Sequence, residues 1–278
     1  MDNPVIPASG TFGYGYEFAE WYDINMLGSI CIKSTTLNPK EGNALPRVAE
    51  CKNSMLNSIG LQNPGIEKAI NEELVKLKKV FKKKIIASVA GSTIEEYVKV
   101  AEFFDKEDIV AIIEINLSCP NVEQGGMSFG VDQVSVEKIC KELKSKIKKP
   151  IFVKLSPNVT DIVKIAKTAQ KAGADGLTLI NCPLGLSINA RNKTFSIKNK
   201  VAGLSGPAIK PIALQNVYRA ANSVNIPIIG VGGIENANDV IEFMSVGAVA
   251  VQVGSYNLVN PMACFEIIQE MQNCISSF

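Results

Sequence analysis

The sequence predicts an α/β protein, a single-domain (β/α)8 TIM barrel over residues 1–278. Three observations carry that prediction. Short runs rich in Val and Ile are nearly continuous rather than alternating, which suits strands covered on both faces, as in a parallel sheet. Helix-length amphipathic stretches separate most of them. The 278 residues show no linker or composition break, and a barrel of this class takes about 250 residues.

The expected strands, in order, are Pro4–Pro7, Ser29–Lys33, Ile85–Ala90, Val110–Leu117, Ile151–Leu155, Gly176–Ile180, Ile226–Val231 and Ala248–Val253. Thr93–Phe104 is expected to be a helix, because Thr93 is followed three residues later by Glu96, a capping-box spacing. Thr160–Ala172 places apolar residues at 162, 163, 165, 166 and 169 on one helical face and stops at Gly173. Ala208–Val224 and Asn236–Val246 follow the same logic, the second ending at Gly247. An open doubly wound sheet is the competing architecture. It is weakened because Gly13-Tyr14-Gly15 lacks the third glycine of a dinucleotide fingerprint. The basic run Lys76–Lys84 fits a solvated helix end and loop.

Composition removes whole classes of function. Lys and Arg number 29 against 27 Asp and Glu, a net charge of +2, too balanced for a nucleic-acid binder held by phosphate contacts. There is no histidine, which excludes Ser-His-Asp and Cys-His catalysis and HExxH metal sites. Proton transfer therefore falls to Cys, Lys, Tyr, Ser or a carboxylate. The seven cysteines contain no C-x-x-C pair, which argues for a reducing compartment and against cysteine-held zinc or iron–sulfur clusters. Neither a signal peptide nor a membrane-spanning stretch is evident, so a cytoplasmic location is expected.

In a barrel, chemistry gathers where strands run out into the following loops. The first strand leads into Ala8-Ser9-Gly10-Thr11, and the second into Lys33-Ser34-Thr35-Thr36. Later ends carry Asn116 to Asn121, Lys154 to Asn158, and Asn181-Cys182. The last two ends, Gly230-Val231-Gly232-Gly233 and Gly254-Ser255, occupy the usual phosphate position, where backbone N–H groups can cradle a dianion. Tight turns needing positive φ would also explain those glycines. Lys154, inside an apolar strand, needs an anionic or electron-rich partner. It would sit against a reduced flavin, act as a Schiff-base nucleophile, or snorkel to water at the rim, and Lys33 poses the same choice.

Cys31 and Cys140 fit small core hydrophobes. Cys119 differs, lying past a strand in a polar loop with Asn116, Ser118 and Asn121, ahead of a Gly-rich stretch at 122–130 suited to a lid. A thiolate there can accept a proton. Asn57, Asn116 and Asn181 both donate and accept, matching a planar substrate with imide edges and a carboxylate.

The segments NPVIPASGTFGYG, NSIGLQNPG, INLSCPN, VKLSPNVTDI, GLSGPAIKP and GVGGI resemble dihydroorotate dehydrogenases, in particular the catalytic chains of the NAD-linked class 1B enzymes. The resemblance covers almost the whole chain. It implies an FMN-holding barrel that oxidises (S)-dihydroorotate to orotate in pyrimidine synthesis, with Cys119 as the base at C5 and hydride passing from C6 to flavin N5. It also implies substrate contacts from Lys33, Asn57, Ser58, Ile59, Gly60, Leu61, Asn116, Asn181 and Cys182. The implied FMN contacts are Ser9, Lys33, Ser34, Ser88, Asn116, Lys154, Ile180, Gly206, Gly232, Gly233, Gly254 and Ser255.

Some positions depart from the family pattern. Ser88 stands where Asn is usual, Cys182-Pro183 follows the sixth-strand Asn where Thr is usual, and the loop Gly185–Ala202 differs. The chain also begins almost at the first strand, where family members carry a segment that helps close the barrel floor. The chain has no second dinucleotide fingerprint. The resemblance therefore implies a partner subunit with FAD and a [2Fe–2S] cluster, in a heterotetramer built on a homodimer of catalytic chains. A Schiff-base aldolase or other phosphate-binding barrel, and a catalytically impaired flavin-binding homologue, stand as alternatives.

Overall fold

The computed structural model describes residues 1–117, 120, 121 and 127–275, with side chains at 120, 121, 127–129, 274 and 275 excepted. The chain opens with β1 (Val5–Pro7), followed by a hairpin of β2 (Val48–Cys51) and β3 (Ser54–Asn57). A helix over residues 66–80 comprises α1 (Ile66–Lys68), a π-helical stretch and α2 (Leu74–Val80). Next come β4 (Ile85–Val89), α3 (Ile94–Asp105), β5 (Val110–Asn116), the short pair β6 (Pro120–Asn121) and β7 (Met127–Ser128), and α4 (Gln133–Lys146). Then β8 (Ile151–Leu155), α5 (Ile162–Lys171) and β9 (Gly176–Leu179) continue the alternation. An excursion of β10 (Leu184–Leu186), β11 (Ile188–Asn189), β12 (Thr194–Phe195) and β13 (Val201–Ser205) intervenes. The chain closes with α6 (Lys210–Ala221), β14 (Ile228–Val231), α7 (Ala237–Ser245), β15 (Ala250–Val253), α8 (Tyr256–Val259) and α9 (Ala263–Ile275).

Seven strands form one sheet in the order β1-β15-β14-β9-β8-β5-β4, and every neighbouring pair is parallel. The second stave is not the continuous strand expected at Ser29–Lys33. Residues 28–35 instead touch both edges of the sheet through separate hydrogen bonds. On one side Gly28 N donates to Val5 O at 3.0 Å and Cys31 N to Pro7 O at 3.2 Å. On the other, Ile32 N donates to Ile86 O at 3.0 Å and Thr35 N to Ser88 O at 2.9 Å. That stave closes the sheet into the (β/α)8 barrel.

Helix starts follow side-chain capping. Thr93 accepts from Glu96 N, but the Glu96 carboxylate returns to Ser92 N rather than to the cap residue, so the expected box is only half formed. Asp161 caps α5 by accepting from Val163 N at 3.1 Å. Asn236 and Asp239 complete a reciprocal box at α7. The main apolar core lies between sheet and helices, and a smaller cluster of Ile6, Cys31, Ile86, Phe152, Ile229 and Ala250 fills the barrel's lower interior.

The antiparallel sheet of order β10-β13-β3-β2 was not foreseen. It carries Asn57 in register with Gly203, so residues distant in sequence meet beside the barrel. The basic run behaves as a solvated face: Lys78 pairs with Glu107 at 2.7 Å and Lys83 with Asp2 at 2.7 Å.

Inside the barrel the Phe152 ring occupies the place a side chain at Gly176 would take, since a Cβ there would lie 2.3 Å from the ring. Gly176→Ala is therefore expected to destabilise the fold by about 1–3 kcal/mol through overpacking, seen as a lower urea midpoint. The double change with Phe152→Leu should recover part of that loss.

Candidate functional site

Alternation along the strands gives the barrel interior two characters. The lower layer is apolar. One step up, Glu114, Lys154, Thr178 and Gln252 are buried and face one another, with Glu114, Thr178 and Gln252 fully inaccessible. Buried polar groups persist only when hydrogen-bonded, and this layer meets that demand. Glu114 Oε2 accepts from Gln252 Nε2 at 2.7 Å and Thr178 Oγ1 at 3.0 Å. Glu114 Oε1 lies 3.6 Å from Lys154 Nζ and accepts from Ser9 Oγ at 3.4 Å and Cys31 Sγ at 3.5 Å. Lys154 Nζ also donates to Gln252 Oε1 at 3.1 Å. Cys31 is thus buried as expected, yet serves as a donor, and burial followed by the nearby Glu114 charge pushes its thiol pKa well up.

Toward the mouth a second polar line forms. Ser34 Oγ and Ser88 Oγ are 2.8 Å apart, and Asn116 Nδ2 donates to Ser34 Oγ at 3.2 Å. Asn181 Nδ2 donates to Asn116 Oδ1 at 3.0 Å, and the Tyr97 hydroxyl fixes the Asn116 carbonyl at 2.7 Å. Asn116 is also the register partner of Lys154. The Ser88 hydroxyl is therefore an active member of the line, despite being shorter than an amide.

Lys33, next to Ser34, has no hydrogen bond or ion pair at its ammonium among the described residues. Burial lowers its pKa, and the nearby Arg47 guanidinium adds to that. Arg47, a cation the sequence reading passed over, is held by the backbone carbonyls of Glu41 and Asn43 and by the Gln62 side chain. Its role beside Lys33 has no local sequence signature.

Asn57 Nδ2 donates to Gly203 O at 3.4 Å, and a side chain at Gly203 would strike the Cys182 Cβ at 2.8 Å. The Cys182 thiol is pushed up by burial, against lowering influences from Lys154 and Asn57, so it enters the site as a neutral thiol. The loop from Ser58 to Leu61 is clamped from outside. Asn43 Nδ2 donates to Ser58 O at 2.9 Å and Asn43 N to Ile59 O at 2.9 Å. Gly60 and Leu61 both adopt positive φ. Cys119 lies outside the described residues.

At the glycine-bearing end of β14 the backbone turns tightly. Gly232 and Gly233 have φ of 133° and 73°, as tight turning requires, and a side chain at Gly233 would meet the Gly206 carbonyl at 2.9 Å. Gly254 has no such excuse: its φ is not positive, and a Cβ there would find nothing within 4 Å. The space beside it is open, as a bound anion needs. Among the described residues, no hydrogen bond is made by the N–H groups of Gly233, Gly254 and Ser255. Lys210, which packs against Gly233, is taken by Asp239 and Glu242 at 2.5 and 2.9 Å. Ile180 is buried and tied to Val231 O at 3.0 Å, bridging the glycine turn to the amide line.

Fold and site together define a barrel enzyme whose mouth combines an amide-lined slot, a cation without a partner among the described residues and a tight turn at paired glycines. The chain belongs to the dihydroorotate dehydrogenase family, whose model matches residues 1–275. It is 50% identical over 278 residues to a protein of Bacillus pumilus strain SAFR-032, covering 100% of this chain and 89% of the relative. It is 52% identical over 271 residues to one of Bacillus mycoides strain KBAB4, covering 98% and 87%. It is 50% identical over 273 residues to one of Malacoplasma penetrans strain HF-2, covering 98% and 89%. All three bear the name dihydroorotate dehydrogenase B (NAD(+)), catalytic subunit. Membership of this family sets aside the aldolase alternative. No helix among the described residues is long and apolar enough to cross a membrane.

The Lys33 ammonium, without a partner among the described residues, makes stability depend on pH. The folded chain holds this proton less tightly than the unfolded chain does, so stability rises with pH from the lowered pKa up to the ordinary lysine range. Lys33→Met should stabilise the ligand-free protein by about 0.5–2 kcal/mol at neutral pH and remove that rise. Urea melts across pH check both.

Proposed function

We propose that this chain oxidises (S)-dihydroorotate to orotate for pyrimidine nucleotide synthesis, as the FMN-holding catalytic subunit of a cytoplasmic NAD-linked enzyme, with residues 1–278 forming one catalytic domain. The observation that carries this reading is the hydrogen-bonded line Ser88–Ser34–Asn116–Asn181, with Lys33 beside one member and Lys154 in register with another. A flat heterocycle with imide edges and a carboxylate needs just such alternating donors and acceptors together with a free cation.

Lys33, Ser34, Ser88, Asn116, Lys154 and Ile180 would hold the flavin ring, Ser9 its edge, and Gly206, Gly232, Gly233, Gly254 and Ser255 its phosphate. The open space at Gly254 and the uncommitted N–H groups support that fit. Bound FMN supplies a hydride acceptor that no side chain can offer. The chain's own residues do the rest. Asn57, Asn116 and Asn181, with Lys33 and the backbone from Ser58 to Leu61, orient the substrate. Cys182 fills the place of a hydroxyl, as a weaker donor. Cys119, three residues beyond Asn116, takes the proton from C5 as its thiolate.

Electrons leave through a partner subunit carrying FAD and a [2Fe–2S] cluster, in a heterotetramer containing two catalytic chains. The names of the relatives, each a catalytic subunit of an NAD(+) enzyme, support this.

Anaerobic addition of dihydroorotate should bleach the flavin absorbance of the purified chain. Retention of flavin without bleaching would instead mark an impaired homologue. In Cys119→Ser, bleaching should slow by about two orders of magnitude or more, the contribution of a positioned base; wild-type speed would remove Cys119 from the mechanism. The isolated chain should reduce dyes but scarcely NAD, and brisk NAD reduction without a partner would refute the subunit requirement.

A further inference from the structure

The site residues above leave Glu114 without a role. Its carboxylate is fully inaccessible, in the layer beneath the amide line, and is contacted by five side chains. All five present donors: an amide N–H, two hydroxyls, a thiol and an ammonium. A carboxylate accepts on both oxygens with about four lone-pair sites, so this shell is assembled around a negative charge. Elsewhere in that layer the partners are neutral. Lys154 is the one cation that touches Glu114 among the described residues.

The strand register fixes the relation between them. Glu114 is paired with Phe152, and Asn116, two residues on, with Lys154. Glu114 therefore reaches Lys154 across the same polar layer, its Oε1 3.6 Å from Nζ, while Gln252 Oε1 accepts one of the ammonium's three donors at 3.1 Å. Gln252 joins the two charged groups, since its Nε2 donates to Glu114 while its Oε1 accepts from Lys154.

From this we infer that Glu114 is a positioning residue that aims the Lys154 ammonium at the flavin space and offsets its charge, so holding down the flavin's reduction potential. The inference rests on the FMN reading above. A lone buried cation would favour the reduced, more negative flavin strongly. With Glu114 bound to it, the same ammonium acts as half of a neutral pair, and the reduced cofactor remains able to give its electrons onward. Thr178, Ser9 and Cys31 keep the carboxylate from turning away.

The test is an equilibrium titration of FMN-loaded protein against a reference dye of known potential, comparing wild type with Glu114→Gln. The variant keeps the shape and removes the charge. The reduced-to-oxidised ratio at a fixed dye potential should rise at least tenfold, about 30 mV for two electrons. A change under threefold, or a fall, overturns the inference. Should Glu114→Gln fail to retain FMN, Glu114→Asp is judged by the same threefold limit, because its shorter carboxylate keeps the charge but withdraws from Lys154. Thr178→Val, which removes one hydrogen bond and no charge, should lower stability yet leave the ratio within twofold; an equal shift there would reduce Glu114 to a merely structural role. Wild type that binds no FMN would defeat the functional reading itself, whereas wild type that titrates normally beside an unshifted Glu114→Gln defeats only this inference.

Discussion

A carboxylate and an ammonium enclosed together in the barrel constrain everything around them. Neither Glu114 nor Lys154 reaches bulk water to any useful degree, and a buried ion pair repays its desolvation only when its remaining hydrogen-bonding sites are filled. That demand explains why Thr178, Gln252 and Ser9 turn toward Glu114, and why the Cys31 thiol reaches it from the apolar cluster. It also explains the sharp boundary with the layer below, where Ile6, Ile86, Phe152, Ile229 and Ala250 exclude water. Apolar floor and polar middle are two consequences of the same alternation of side chains along parallel strands.

The mouth is organised differently. Its donors and acceptors are tied into a line by Asn116, whose backbone is pinned by Tyr97 from α3. The line draws on the second stave, β4, β5 and the end of β9, so it depends on the sheet holding those staves side by side. The irregular second stave matters here. Separate hydrogen bonds to β1 and β4 leave the chain free to turn at Lys33 and Ser34, whose side chains then serve the site.

Much of this was legible in the sequence. Runs such as Ile151–Leu155 and the glycine stops after α5 and α7 follow from local patterning, and they place the strand ends where Asn116, Lys154 and Gly233 appear. Glu114 escaped notice because it stands in an apolar run, Ile-Glu-Ile-Asn, whose period marks it as inward-facing but not as charged and partnered. Its importance depends on Gln252, 138 residues away. The sheet joining β3 to β13 escaped for the same reason, since pairing of Asn57 with Gly203 spans 146 residues and leaves no short-range trace. The α5 helix starts later than the expected Thr160, because Asp161 supplies the capping carboxylate.

The glycine-bearing strand ends have one property that their residue types alone decide. Lys210, which packs against Gly233, is engaged by Asp239 and Glu242, whereas the N–H groups of Gly233, Gly254 and Ser255 make no hydrogen bond among the described residues. Peptide groups have no titration curve. Any anion held there would meet donors whose own charge does not change with pH, unlike those of a lysine-lined pocket.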